Sequence, residues 1–496
     1  MKRWLGLDCG GTFIKAGLYD RQGRELAVAR QNLPVQVPEP GYAERDMTLL
    51  WQQAAAVIRE VLTRSGQDAA DVAGLGISAQ GKGLFLLDKD RNPLGNGILS
   101  SDRRALSLVQ QWQREGMPQK LYPLTRQTLW TGHPVSLLRW LKQHQPQRYA
   151  AIGSVLMAHD YLRFCLTGEL ACEETNISES NLYDMQAADW SPALAEMLDI
   201  SEIVPALPPI VASTQIAGYV TAQAATACGL LPGTPVVGGL FDVMSTALCA
   251  GLNDATRLNA VMGTWSVTSG ITDCISDEAD YPYVYGRYAI EGQYLIHEAS
   301  PTSAANLEWF CEQWGIRDYQ QLNQWVEELE PASSALLFLP FLYGTNAGAD
   351  LHGSFFGLQA GHTRAHLVQA IYEGVVFSHL THLNRILQRF PQVTALRLSG
   401  GPTRSAPWMQ MFADASGLRV EVPQISESGC LGAALVALTG TGAYASLQQA
   451  QQAQQALAPD IVTWLPDSTR HARYQQKYQR YQHLIRVLSD AQGAPL

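Results

Sequence analysis

Two hairpins of the same make, one in each half of the chain, limit the folds open to this sequence. The first is an apolar strand, Trp4-Leu5-Gly6-Leu7-Asp8, that runs into Cys9-Gly10-Gly11-Thr12 and returns as Phe13-Ile14-Lys15-Ala16-Gly17-Leu18-Tyr19. The second is Leu258-Asn259-Ala260-Val261-Met262, then Gly263-Thr264, then a return strand over 266–270. Glycines at the turns permit positive φ and leave peptide N–H groups uncovered. A hydroxyl (Thr12), a carboxylate (Asp8) and a cation (Lys15) surround the first turn, and such a set suits a phosphate and a magnesium ion. A plain tight hairpin is the simpler alternative, and it accounts less well for an acid inside the strand. The echo between the two hairpins reads as a faint internal repeat.

Between and after the hairpins, strands alternate with helices. The stripe Leu50, Ala54, Val57, Ile58, Val61 and Leu62 predicts a helix over 46–65, capped by Asp46 and ended by Gly66. Strands are expected over 72–78, 84–88, 394–399 and 418–422. Helices are expected over 105–115, 160–168, 366–390 (halted by Pro391), 405–417 and 431–438. A polar tail helix over 471–488 has Tyr474, Tyr478 and Tyr481 as its anchors. This alternation implies α/β layers with the site at strand ends. At 496 residues the chain is too long for one core, so we expect two large domains, 1–250 and 251–496.

The run Pro235-Val236-Val237-Gly238-Gly239-Leu240-Phe241-Asp242 carries the chemistry that we rank first. An apolar strand meets two glycines, which let another molecule approach the backbone, and then delivers one carboxylate. Asp242 is suited to accept a proton from a hydroxyl that attacks a phosphate; the alternative is that it caps the helix that follows. Two further strand ends carry polar clusters. Gln80-Gly81-Lys82 and Asp102-Arg103-Arg104 read as fingers for sugar hydroxyls, and the polar stretch Thr175 to Asn181 reads as part of the same cleft.

Other chemistries are set aside. The run Gly76 to Gly83 nearly spells a phosphate-binding Walker loop, but Gly83 stands where that loop needs Ser or Thr, and a strand follows instead of a helix. His362 with His366, and His379 with His382, share helix faces but lack a third ligand in step. No Gly-x-Ser-x-Gly elbow is present. The eight cysteines are scattered without a Cys-x-x-Cys pair, which points to reduced thiols in a cytoplasm. A net charge of −10 without a basic cluster argues against nucleic acid and anionic membranes as partners. No apolar run is long enough to span a bilayer, and Asp8 comes too early for a secretory signal.

The assembled residues resemble the FGGY carbohydrate kinases, which share the actin/hexokinase (ribonuclease H-like) fold. The resemblance covers nearly the whole chain. Its most specific part is Gly353-Ser354-Phe355-Phe356-Gly357-Leu358, seven residues, then His366 to Glu373. Gly132 to Trp140 matches the N-terminal signature less well, with Leu137 where the family usually has lysine. The resemblance implies an α/β fold of two such domains around a central cleft, and a kinase that uses ATP and Mg2+. It assigns Asp8, Gly10, Gly11, Thr12 and Lys15 to the first phosphate motif, with Asp8 at the metal, and Gly263 and Thr264 to the second motif. Gly400 and Gly401 match the adenosine loop, Ser405 stands where some relatives use Asn near the adenine, and Glu427 and Gly432 lie near the hinge. Asp242 matches the catalytic base, and Gln80, Gly81, Lys82, Asp102 and Arg104 the acceptor site.

Three stretches, 78–83, 100–104 and 239–243, look typical of the branch that acts on L-xylulose. That branch is linked to 3-keto-L-gulonate as well, whose carboxylate Lys82 is placed to meet. The resemblance thus implies phosphorylation of L-xylulose to its 5-phosphate. Alternatives are 3-keto-L-gulonate, D-xylulose, L-ribulose or glycerol as acceptor, an actin-like ATPase switch without a sugar, or a non-catalytic sugar sensor. Sugar and ATP are the expected partners, in the cytoplasm, with a homodimer left open.

Overall fold

The helix Ser428–Gly440 lies so close to the strands beneath it that only glycine fits at the crossings. A Cβ on Gly6 would overlap the Cys430 carbonyl, and one on Gly76 the Ala433 carbonyl. From the helix side, a Cβ on Gly432 would overlap the Ser245 hydroxyl. The helix is apolar all round, with Cys430 to Leu438 buried without a break, as expected of a helix covered on every side.

This contact belongs to the first of two compact units in the computed structural model, which describes residues 1–263, 265–276, 283–344, 351–457 and 461–492. Unit one comprises 1–253, 272–295 and 425–457; unit two comprises 254–271, 296–424 and 458–496. The compact units are discontinuous and do not follow a single division at 250/251, because the chain returns to the first unit twice. The 425–457 segment returns because the helix Ser428–Gly440 has its glycine-matched seat on strands of unit one.

In unit one the sheet runs Ile216–Tyr219, Pro235–Val237, Val72–Ala79, Arg3–Cys9, Phe13–Tyr19, Glu25–Asn32. Arg3–Cys9 is antiparallel to Phe13–Tyr19, pairing Asp8 with Lys15, and parallel to Val72–Ala79, pairing Asp8 with Ser78. Leu240–Phe241 also lies parallel on Val72–Ala79, with Leu240 level with Ser78 and Phe241 with Ala79. Three parallel strands thus end at one level. Helix Met47–Ser65 begins at Asp46, whose carboxylate accepts from the Leu49 N–H at 2.9 Å, and ends at Gly66 in the left-handed region.

The second sheet repeats the scheme along Tyr294–Ser300, Ser266–Thr272, Arg257–Met262, Ala395–Ser399, Arg419–Val422, Val462–Trp464. Again a leading hairpin is antiparallel, and the strand after a helical crossover lies parallel to the first strand. The next strand is parallel and the last antiparallel, as Pro235–Val237 and Ile216–Tyr219 are in the first sheet. The internal repeat thus extends from one hairpin to five strands of each sheet. The tail helix Ser468–Gln492 buries Tyr474, Tyr478 and Tyr481. Among the described residues, no helix is long and apolar enough to cross a membrane.

The Gly76 contact predicts that Gly76→Val, which forces the helix off its strand, destabilises unit one by about 3 kcal/mol. Urea unfolding followed by tryptophan fluorescence should show an earlier first transition; an unchanged midpoint would refute the packing argument.

Candidate active site

The level strand ends of unit one put three polar side chains on one edge. Asp8 is the penultimate residue of Arg3–Cys9, Gln80 follows Val72–Ala79, and Asp242 follows Leu240–Phe241. Outside the carboxyl ends of parallel strands is where ligands of open α/β sheets bind. Gly239 takes φ 93°, and a Cβ there would overlap the Ile77 carbonyl, so the approach to Asp242 requires glycine. Asp242 is the first residue inside helix Asp242–Cys249, with Phe241 as the capping residue.

Asp242 is pushed up from the usual carboxylate value to about 7, chiefly by burial and then by the charge of Asp8; the Val243 N–H and Lys82 oppose this. Asp8 is pushed up to about 6, again chiefly by burial, against the pull of Lys15. Its Oδ1 is buried with no hydrogen-bond partner. The carboxylate lies against Gly429, where a Cβ would overlap it. These two acids are the raised pair expected where a site must hold carboxylates poised near neutrality.

The first glycine turn is held from behind. The Arg45 guanidinium donates to the Gly10 carbonyl at 3.2 Å and the Gly11 carbonyl at 2.5 Å, while the Thr12 carbonyl accepts from the Leu33 N–H at 2.7 Å. Gly11 and Thr12 remain exposed. Lys15 donates to Glu427 at 2.6 Å. It is therefore a paired cation.

On the acceptor side, Gly81 packs on the Phe241 ring, which a Cβ would strike. Gln80 keeps its Nε2 buried without a partner. Lys82 donates from its backbone to Asn176 Oδ1 at 2.9 Å and from its ammonium to Glu179 Oε2 at 2.5 Å. The expected hydroxyl-binding pair behaves differently. Both oxygens of Asp102 accept from Arg104, and Oδ2 also accepts from the Ala43 N–H at 2.6 Å. Arg104 reaches Glu44 at 2.6 Å and lies over the Tyr42 ring at 4.1 Å. Both side chains are 0% exposed, so Asp102 and Arg104 brace the wall and do not project from it.

In unit two, Gly263 and Gly400 leave the neighbouring strands Arg257–Met262 and Ala395–Ser399. Gly400 takes φ 109°, and a Cβ would overlap the Met262 carbonyl, whereas Gly401 is open on all sides. Thr264 lies outside the described residues. Ser405 caps helix Ala406–Ser416 by accepting from the Trp408 N–H, and it donates to Asn323 Oδ1 at 2.6 Å. Its hydroxyl is thus engaged within the fold, contrary to a role beside an adenine. His379, one of the histidines set aside, is bonded to Ser303 at 2.9 Å and is held down to about 3 by burial and His382.

The sequence reading missed the supports of this site. Arg163 donates to the Gly238 carbonyl at 2.5 Å and to Asp160 at 2.9 Å. Thr175 accepts from the Phe241 N–H at 2.9 Å and donates to Glu173 at 2.7 Å. The stretch 175–181 is not a cleft-lining loop but a buried frame, since Thr175, Asn176, Ser178, Glu179, Ser180 and Asn181 are all buried. Its run of polar residues was visible; the burial was not.

Residues 3–249 match the FGGY family of carbohydrate kinases, N-terminal domain, and residues 258–441 the C-terminal domain of that family. The chain is 62% identical over 485 residues to the L-xylulose/3-keto-L-gulonate kinase of Escherichia coli (strain K12), covering 98% of this chain and 97% of that one. It is 58% identical to the probable L-xylulose kinase of Pasteurella multocida (strain Pm70), covering 98% and 99%. A crystal structure of ligand-bound xylulose kinase from Lactobacillus acidophilus superposes with a TM-score of 0.91 at 22% identity, over 99% of each chain. With both family domains matched in order and relatives of this identity spanning its length, the chain belongs to the FGGY family of carbohydrate kinases.

Proposed function

We propose that this carbohydrate kinase transfers the γ-phosphoryl group of ATP to a hydroxyl of L-xylulose, giving L-xylulose 5-phosphate, with Asp242 as the general base. The observation that carries the reading is the position and charge of Asp242. It stands at the strand-end edge beside Asp8 and Lys82 with its carboxyl raised to about 7. The names of the two relatives, at 62% and 58% identity, support the acceptor. The first of those names also favours 3-keto-L-gulonate as a second acceptor.

Phosphoryl transfer has a loose transition state, so positioning and charge stabilisation do most of the work. In our reading the Gly10-Gly11-Thr12 turn, stiffened by Arg45, receives phosphate oxygens on its peptide N–H groups. Gly263 and Thr264 take the same part in unit two, and the open Gly400-Gly401 turn admits the nucleoside. Ser405 is assigned to capping and not to the nucleoside. Gln80 and Lys82 bond acceptor hydroxyls, Gly81 gives them room, and Asp102 with Arg104 hold the wall behind them. Asp242 then takes the proton of the attacking hydroxyl.

Asp8 fits a magnesium ion: its Oδ1 is buried without a partner, and magnesium sites commonly use one or two carboxylates, water and substrate phosphates. Bound there, the ion would offset phosphate charge as the bond to the leaving group breaks. The same reading places the enzyme in the cytoplasm, where its eight free cysteines stay reduced. It gives the enzyme sugar and ATP as partners, with neither nucleic acid nor membrane, and is compatible with a homodimer.

Two outcomes test the base. Asp242→Asn should bind ATP and L-xylulose normally by calorimetry while kcat in a coupled ADP assay falls about 10³-fold; near-normal turnover would refute the assignment. A raised carboxyl also weakens folding as pH rises from the unfolded value of ~4 through the folded value. At pH 8 the Asn variant should therefore melt above the parent.

The pH profile gives an independent check. A base acts only when ionised, so kcat/KM should fall tenfold per pH unit below about 7. The slope should steepen below about 6, where Asp8 protonates too. A profile flat between pH 5 and 8 would contradict both roles.

A further inference from the structure

The cation on the acceptor side is built as half of a pair. Lys82 takes φ 61°, a left-handed conformation uncommon for a residue with a side chain. Its backbone N–H is tied to Asn176 at 2.9 Å, and its ammonium meets Glu179 at 2.5 Å. The Glu179 side chain is 0% exposed and that of Lys82 16%. The other oxygen of Glu179 lies against Gly286, where a Cβ would sit 2.5 Å from it. The ammonium is 5.3 Å from the centre of the Phe241 ring, the residue before Asp242. A buried acid has therefore been fitted, with a glycine cleared beside it, against the lysine that reaches the acceptor.

The consequence is electrostatic. A neutral ketose needs hydrogen-bond donors, and the Lys82 ammonium supplies them with its charge offset by Glu179. A sugar acid adds a carboxylate to an edge that already holds Asp8 and Asp242, and Lys82 meets it with its charge offset by Glu179. Charged groups in such places set which partner is preferred more than how tightly either binds.

We propose that Glu179, acting through Lys82, is the charge selector of the acceptor site and sets the preference between neutral ketoses and sugar acids. This rests on the acceptor reading above. Glu179 is a positioning residue here, and Lys82 is the group that touches the acceptor.

The test is the ratio of kcat/KM for 3-keto-L-gulonate to that for L-xylulose, in the full-length enzyme. Glu179→Gln leaves Lys82 uncompensated and should raise the ratio about tenfold, through a lower KM for the acid. Lys82→Met removes the cation that faces the acceptor and should lower it about tenfold. The double variant Lys82→Met with Glu179→Gln is neutral again and should return to within about threefold of the parent ratio. A general loss of structure would depress both substrates together and would not be reversed by the second change. A ratio that stays put in either single variant, or a double variant that follows one single variant, overturns the proposal. If Glu179→Gln is not recovered folded, Lys82→Met and the double variant make the same comparison. A parent enzyme that turns over neither acceptor overturns the substrate reading instead, so the two failures are distinct.

Discussion

The strands Arg3–Cys9, Val72–Ala79 and Leu240–Phe241 end at one level, and the remainder of the first unit serves that alignment. Parallel strands carry their side chains in fixed register, so residues just beyond a common end arrive together although 8, 80 and 242 are far apart in sequence. The register is kept by contacts that tolerate no Cβ. Gly6 and Gly76 let helix Ser428–Gly440 sit on the sheet, and Gly239 lets the third strand end pass Ile77. The same helix brings Gly429 against the carboxylate of Asp8. A helix that stabilises the sheet thereby also closes one side of the site and removes water from an acid.

Charge at this edge is settled by pairs. Lys15 is matched by Glu427, Lys82 by Glu179, and Arg104 by Asp102 and Glu44. Asp8 and Asp242 are the acids whose carboxyls are driven upward. In a poorly hydrated place an unpaired charge is costly, and the group responds by shifting its pKa. The two lysine pairs fix geometry without adding net charge, and the two raised carboxylates are the groups that change protonation near neutrality.

What could be read in the sequence was what depends on near neighbours. The helix from Asp46 to Gly66 was legible because its cap, stripe and terminator lie within one segment. Gly239 and Asp242 were legible because a strand, two glycines and an acid are adjacent. Asp102 and Arg104 were misread because their commitments are to Ala43 and Glu44, about 60 positions away. Ser405 caps its helix, and its bond to Asn323, 82 positions away, is what removes it from the nucleoside role. Glu179 looked like one more polar residue in a polar run; only the fold shows that the run is buried. The return of 425–457 to the first unit was equally hidden, because an all-apolar helix carries no sign of which sheet will cover it.

The two sheets share the sense of five matched strands, but their glycine turns have been used differently. In the first, the turn is flanked by Asp8 on its own strand and held by Arg45 from outside. In the second, Asn259 and Ser269 face each other across the hairpin and no carboxylate precedes Gly263. Keeping the Gly-Thr turn in both halves while confining the acids Asp8 and Asp242 to one makes the repeat chemically asymmetric.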